Sequence, residues 1–315
     1  MQKGIASNTI FLVKEAVKSL ASTVPSSEKL LVFADLGCST GANTLVMFSE
    51  VMDTVSTTCN ELGRPVPQIQ LLLNDLPGND FNTLLGSVLS FRKERIDECT
   101  SDRSMPFYMS VVPGSFYERL FPKKSVHFIY SSCSVHWLSQ VPMGLYNVRQ
   151  GWINKGSIYI SEKSPPLVSS LYLKQFQRDF SLFLKHRSEE LCSGTCMALI
   201  FPGCSTADQS AKETAAYIAC LEEALDKMVS EGVVNAFDVD SFNLPLYHPT
   251  MDEVKFVIKN EGSFELMQDF IHEAPFSEVF GDTHGDTNEK WEKLGLAFRS
   301  ILESLFVSVE NNKNS

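Results

Sequence analysis

Positive charge is scarce in this sequence: Lys and Arg number 27 against 38 Asp and Glu, a formal net charge of −11 over 315 residues. Nucleic acids and anionic membranes need clustered positive charge, so this balance excludes both as principal partners. An acidic small molecule would have to be captured by local groups against the overall field. Long apolar runs are missing too, with nothing approaching the roughly 18 residues of a membrane-spanning helix. The N-terminal MQKGIASNTIFLVKEAV has only a short apolar run between charges, not the h-region of a secretory signal. A soluble, cytoplasmic protein is the expectation. The 17 Gly and 14 Pro, beside 43% hydrophobic residues, exclude collagen-like and disordered classes. Eight cysteines are modest for this length and read as free thiols in a reducing compartment. The tightest cluster, Cys192 and Cys196 with Cys204, has no paired C-x-x-C and no nearby His, which argues against structural zinc.

The first half alternates short apolar runs with amphipathic segments, the pattern of βα units around a parallel sheet. Strands are expected over residues 30–34, 70–73, 107–112, 126–130 and 157–161, with helices over 43–55 and 80–91. After Pro165-Pro166 the composition shifts to long helical spacings over 167–190 and 207–231, with Gly232 as a C-cap signal. One α/β unit with a mostly helical cap fits this order.

Strand 30–34 leads directly into Asp35-Leu-Gly-Cys-Ser-Thr-Gly-Ala-Asn-Thr44. Gly37 and Gly41 allow a tight turn and close approach of a ligand to the backbone. The dinucleotide fingerprint G-x-G-x-x-G and the phosphate-cradling G-x-x-x-x-G-K-[ST] are both absent, which disfavours pyrophosphate and nucleoside triphosphate ligands. An Asp just past a strand end is placed to accept from a cationic amine or a ribose hydroxyl. The same turn also reads as a purely structural corner. The second strand ends in Asn74-Asp75-Leu76-Pro77-Gly78-Asn79-Asp80. A carboxylate there is where a Rossmann-like fold holds a ribose diol, while Asn79 or Asp80 reads as a helix cap. Together the two turns favour an adenosine cofactor without phosphates, with S-adenosylmethionine the leading candidate.

Six collinear stretches are more specific: DLGCSTGANT, NDLPGNDFNTL, PGSFYERLFP, SSCSVHWLSQVP, NKGSIYISEKSPP and DSFNLPLYHPT. In that order they resemble the motifs of the plant SABATH methyltransferases. That family transfers a methyl group from S-adenosylmethionine, mostly to carboxylates of small plant acids and in some members to xanthine nitrogens. The resemblance implies a Rossmann-like class I methyltransferase sheet with a mostly helical cap. It implies an S-adenosylmethionine-binding α/β core over 1–165 and a cap with remaining core elements over 166–309, while the polar ENNKNS at 310–315 by itself reads as a disordered tail. A homodimer acting on a small carboxylic acid is also implied.

Beside Asp35 and Gly37, the implied cofactor residues are Cys38, Asn43, Asp75, Leu76, Ser115, Phe116 and Ser132. Asp75 takes the ribose hydroxyls, and Leu76 and Phe116 sandwich the adenine. Gln2, His136 and Trp137 are implied at the acceptor carboxylate, with Cys133 and Ala219 lining the pocket. Asn154, Asp240, Phe242 and Asn243 match positions that hold magnesium or sodium in some relatives, and their oxygens suit a hard cation. They also read as turn and cap residues. A carboxylate acceptor is already ionised near neutrality, so no catalytic acid or base is expected.

Benzoate- and salicylate-methylating members usually carry Tyr, Met and Trp where this chain has Cys133, His136 and Ala219. The smaller residues favour an acid bulkier than benzoate, such as a jasmonate-, indole-acetate- or terpenoid-like acid. Family members also carry an S-Y-x-x-N-S segment before the position of Gln2 and further strands after a helix resembling residues 291–306. Their absence here raises a second expectation, a truncated chain without catalysis. N-methylation of a xanthine-type substrate is the third.

Overall fold

The computed structural model describes residues 2–98, 106–149, 151–206 and 212–272. The order is α1 (Gln2–Thr23), β1 (Leu30–Leu36), α2 (Ala42–Glu61), β2 (Gln68–Asp75), α3 (Phe81–Glu98), β3 (Phe107–Pro113) and β4 (Val126–Ser132). A short antiparallel pair follows, β5 (Tyr146–Asn147) with β6 (Gly151–Trp152). Then come α4 (Pro166–Glu190), β7 (Leu191–Ile200), α5 (Lys212–Ser230), α6 (Ala236–Ser241) and α7 (Met251–Glu261). No helix among the described residues is long and apolar enough to cross a membrane.

Five strands form one parallel sheet in the order β3-β2-β1-β4-β7. Strands covered on both faces read as continuous apolar runs, and LLVFADL of β1 does so. Alternation sends Leu31 and Phe33 to one face, beside Val13, Val17, Val51 and Val55 of α1 and α2. Ala34 and Leu36 face the opposite core, built with Tyr159 and with Tyr172, Phe176, Phe180 and Phe183 of α4. The chain steps outward from β1 to β3 and then returns across the sheet to place β4 on the other side of β1. That reversal makes a topological switch point at the carboxyl ends of β1 and β4, the position where open α/β sheets bind ligands.

The helices expected over 43–55, 80–91 and 167–190 are present as the longer α2, α3 and α4, while the one expected over 207–231 is described as α5 from Lys212 to Ser230. Gly232, expected to end α5, has φ +72 and donates its N–H to Val229 O. Residues 207–211 and 310–315 lie outside the described residues. The expected strand over 157–161 is corrected. Ile158, Tyr159 and Ile160 are buried as irregular chain. Their polar groups are met elsewhere: Ile158 N–H donates to Glu222 Oε1, and Ile158 O accepts from Leu244 N–H. The fifth strand is β7, within the stretch expected to form the cap. Its ladder is interrupted near Gly194 (φ +76), so that Val126 pairs with Leu191 but Phe128 pairs with Cys196. The interruption breaks the apolar run and hides the strand from pattern reading.

Candidate functional site

The carboxyl ends of β1, β2, β3 and β4 meet in four linked turns. Gly37 and Cys38 donate their N–H groups to Asn74 O at 2.9 and 3.0 Å, tying the glycine turn to β2. Gly37 has φ +78, and a Cβ there would stand 2.1 Å from Ser134 Oγ, so the turn after β4 closes directly against it. Ser39 sits at φ +50, a strained value for a side-chain-bearing residue. It is held there because its N–H donates to Asp75 Oδ2 at 2.7 Å and its carbonyl accepts from Asn79 Nδ2 at 2.9 Å. Leu76 N–H donates to Asp75 Oδ1 at 2.7 Å. Each carboxylate oxygen of Asp75 thus receives one backbone donor and keeps acceptor capacity for a ligand hydroxyl. Burial pushes the Asp75 carboxyl upward, and these two amides pull it back. Leu76 beside it is 57% exposed.

Asp35 differs from its sequence reading. It lies within β1 rather than past its end, is buried, and accepts a 2.5 Å bond from Thr44 Oγ1. It braces the turn against α2. Burial raises its carboxyl to about 7, opposed by the Thr44 bond and reinforced by the charge of Asp75. Asn43 is half-buried in the first turn of α2.

Gly114 N–H donates to Asp75 O at 2.9 Å, so β3 delivers Ser115 and Phe116 beside the same switch point. The Phe116 ring edge lies 3.9 Å from the point where a Gly37 Cβ would stand. From β4, Ser132 Oγ points to Cys133 Sγ at 3.9 Å, and Cys133 is held at φ +53 with its N–H bonded to Ile200 O at 2.7 Å. Burial raises the Cys133 thiol, which disfavours thiolate chemistry.

His136 and Trp137 follow in a turn clamped from two directions. Tyr117 Oη donates to Trp137 O at 2.5 Å. Residues 245–247 pair with the turn through Leu138 N–H to Pro245 O, Tyr247 N–H to His136 O, and a Trp137–Leu246 bridge. Two of the six sequence motifs therefore form one structural unit. His136 is buried with its ring 5.2 Å from Trp137 and stacked 5.8 Å from His248, and its Nδ1 has no hydrogen-bond partner among the described residues. Sequence reading gave His248 no role, because nothing local to LYHPT signals a second imidazole against the first. Ala219 is exposed on α5. The side chain of Gln2 lies outside the described residues.

Burial depresses both imidazoles, His136 to about 3 with His248 adding to the shift, and His248 to about 4. Below the ordinary histidine value near 6.5, the unfolded rings bind protons that the folded rings refuse, so stability falls as pH drops toward 4. Asp35 has the opposite sign, because its folded form takes up a proton that the unfolded form releases, and its contribution declines as pH rises from about 4 to 7. His248→Phe is expected to flatten the acid-side loss of melting temperature between roughly pH 6.5 and 4. An unchanged slope would contradict the burial of a neutral His248.

Asn154 and Asn243 come together and Asp240 joins the same segment through Gly156, with one side-chain oxygen of each accepting a bond from the protein. Asn154 Oδ1 accepts from Ser164 Oγ at 2.6 Å, and Asn243 Oδ1 accepts from Asn154 Nδ2 at 2.9 Å. Asp240 Oδ1 accepts from Gly156 N–H at 2.9 Å. Among the described residues no cluster of three His, Cys, Asp or Glu could hold a metal ion. The structure therefore adds no support for magnesium at Asn154, Asp240, Phe242 and Asn243. The network instead pins the segment before α4 to the segment after α6.

A parallel sheet of this order, with a glycine turn after β1 and a carboxylate ending β2, is a Rossmann-like methyltransferase fold. The chain belongs to the SAM dependent carboxyl methyltransferase family, whose sequence profile matches residues 1–311. It is 44% identical to a probable jasmonic acid carboxyl methyltransferase 2 of Theobroma cacao, over 81% of this chain and 68% of the relative. It is 41% identical to a benzoic acid/salicylic acid carboxyl methyltransferase 2 of Petunia hybrida, over 88% and 74%. It is 38% identical to a probable caffeine synthase 4 of Camellia sinensis, over 96% and 80%. Among solved structures, a loganic acid methyltransferase with SAH superposes with a TM-score of 0.72 at 34% identity, over 82% of this chain and 71% of that one.

Proposed function

We propose that this protein transfers the methyl group of S-adenosylmethionine to the carboxylate of a small acid, giving a methyl ester. The observation that carries the reading is Asp75, its oxygens each half-engaged by backbone and joined to the glycine turn through Ser39, with the Phe116 ring close to Gly37 of the same turn. S-adenosylmethionine supplies an electrophilic sulfonium methyl. On the protein side, Asp75 accepts from the ribose hydroxyls, Leu76 and Phe116 flank the adenine, and Gly37, Cys38, Asn43, Ser115 and Ser132 line the remainder. Trp137 Nε1–H is donor-only and holds the acceptor carboxylate with Gln2. His136 stays neutral and can present an N–H without adding charge. The acid arrives ionised, since carboxyl groups titrate near 4, so the site needs alignment rather than a base. Alignment of this kind is worth up to roughly 7–11 kcal/mol.

The acceptor in this reading is bulkier than benzoate. Cys133 offers a small side chain beside His136, and the relative of T. cacao named for jasmonic acid shares 44% of residues. A second reading, N-methylation of a xanthine, draws on the caffeine synthase relative and on a probable 7-methylxanthine methyltransferase 5 of T. cacao at 43% identity. A thermal-shift titration with S-adenosylmethionine, followed by a radiolabelled-methyl assay on jasmonate, indole-3-acetate, benzoate and xanthosine, decides between them. Saturable stabilisation and label in the larger acids are expected. Label in xanthosine alone would overturn the ester reading, and no stabilisation would overturn both.

A further inference from the structure

The loop that carries Phe116 is fastened from beneath by two side chains outside that switch point. Arg187 and Glu190, in the last turn of α4, are both fully buried and meet at 2.7 Å (Nε to Oε2) and 3.1 Å (Nη2 to Oε1). The rest of the guanidinium serves backbone outside the helix. Nη1 donates to Phe116 O at 2.6 Å, and Nη2 donates to Glu118 O at 2.7 Å. Glu190 Oε1 accepts from the N–H groups of Leu120 and Phe121 at 2.7 and 3.0 Å. Two carbonyls and two amides of one loop are satisfied by a single ion pair. A guanidinium is a planar, rigid fork, so the loop is tied to α4 in one orientation. The ring is tied as well. The guanidinium lies 5.3 Å from the Phe183 centroid, and Phe183 meets the Phe116 ring edge-on at 6.0 Å.

Stability alone does not explain this choice of residues, because a buried ion pair is often matched or bettered by apolar side chains of similar volume. What the pair provides, and apolar packing does not, is a fixed position for the Phe116 carbonyl. We infer that Arg187 and Glu190 are positioning residues for the cofactor side of the site. They act through the backbone and ring of Phe116, holding that wall against the glycine turn, and touch neither cofactor nor acceptor. The inference rests on the reading of Phe116 as the adenine neighbour.

Arg187→Lys keeps the charge opposite Glu190 but has no fork to reach both carbonyls. In the full chain, it is expected to raise both the Kd for S-adenosylhomocysteine and the KM for S-adenosylmethionine roughly tenfold, while the KM for the acid changes less than about twofold. If the pair acts through Phe116, Arg187→Lys combined with Phe116→Leu weakens cofactor binding no more than Phe116→Leu alone. Additive losses, or equal rises in both KM values, would overturn the proposal. Phe116→Leu with unchanged cofactor affinity would instead remove the adenine reading beneath it, independently of Arg187. Glu190→Gln, which keeps an acceptor for Leu120 and Phe121, is the second variant should the lysine not fold. If neither yields a folded protein with saturating S-adenosylhomocysteine, the pair serves stability only and the proposal falls.

Discussion

Arg187→Met is expected to lower the unfolding free energy by about 3–5 kcal/mol, because it strands a carboxylate inside the core. Glu190 is fully buried, and its Oε2 has Arg187 Nε as partner. Arg119 approaches Oε1 only to 3.5 Å and is itself about a third exposed, so it replaces little of the lost charge. Two backbone carbonyls, of Phe116 and Glu118, lose their donors at the same time. Against a typical total of about 5–15 kcal/mol, this is a large fraction. Urea denaturation reads it as a lower midpoint with an unchanged slope. Adding Glu190→Gln should recover part of the loss by removing the stranded charge. A single-variant effect below about 1 kcal/mol would mean that the pair is solvated in ways its burial denies.

Trp137→Ala carries the largest expected effect on turnover. A hydrogen bond to a charged group is worth about 1.5–3 kcal/mol, so kcat/KM for the acid should fall roughly 10- to 150-fold. The backbone at 137 should survive the change, since its carbonyl is held by Tyr117 Oη and its segment by pairing with residues 245–247. Affinity for S-adenosylhomocysteine, measured calorimetrically, should stay within about twofold, because all the residues proposed for the cofactor except Ser132 lie at the turns after β1, β2 and β3. Equal losses of acid turnover and cofactor affinity would sink the assignment of Trp137 to the acceptor.

The sequence made the cofactor side readable because its signals are local. An apolar run followed by D-x-G-x-x-x-G, and another ending in Asn74-Asp75, specify strand, turn and carboxylate within a few residues. The structure sets Asp75 beside Ser39 and Phe116 beside Gly37; for Phe116 only the family resemblance, and no local signal, pointed to a role. Asp35 was legible as an acidic residue but not as a buried brace for Thr44, since its orientation depends on α2. The acceptor side depended on distant pairings. The stacking of His248 on His136 and the bridge from Trp137 to Leu246 cross more than a hundred residues, and no period or cap signals them. The irregular, buried segment 157–161 imitates a strand in composition because the same apolar residues suit either environment. Its backbone bond to Glu222, invisible in sequence, is what replaces a ladder.

The joining of residues 136–138 to residues 245–247 also bears on how the protein comes into being. Chains emerge from the ribosome N-terminus first, at about 5–20 residues per second. The glycine turn, Asp75 and the turn after β4 are all present once residue 134 has emerged. The partner that clamps the Trp137 turn follows more than a hundred residues later. For several seconds of synthesis, a nascent chain would carry these turns without the Arg187–Glu190 fastening of the Phe116 loop and, for longer still, without the clamp on the Trp137 turn. Closing such a long loop is slow and entropically unfavourable, so the acceptor half should be the last part of the site to form and the first to open.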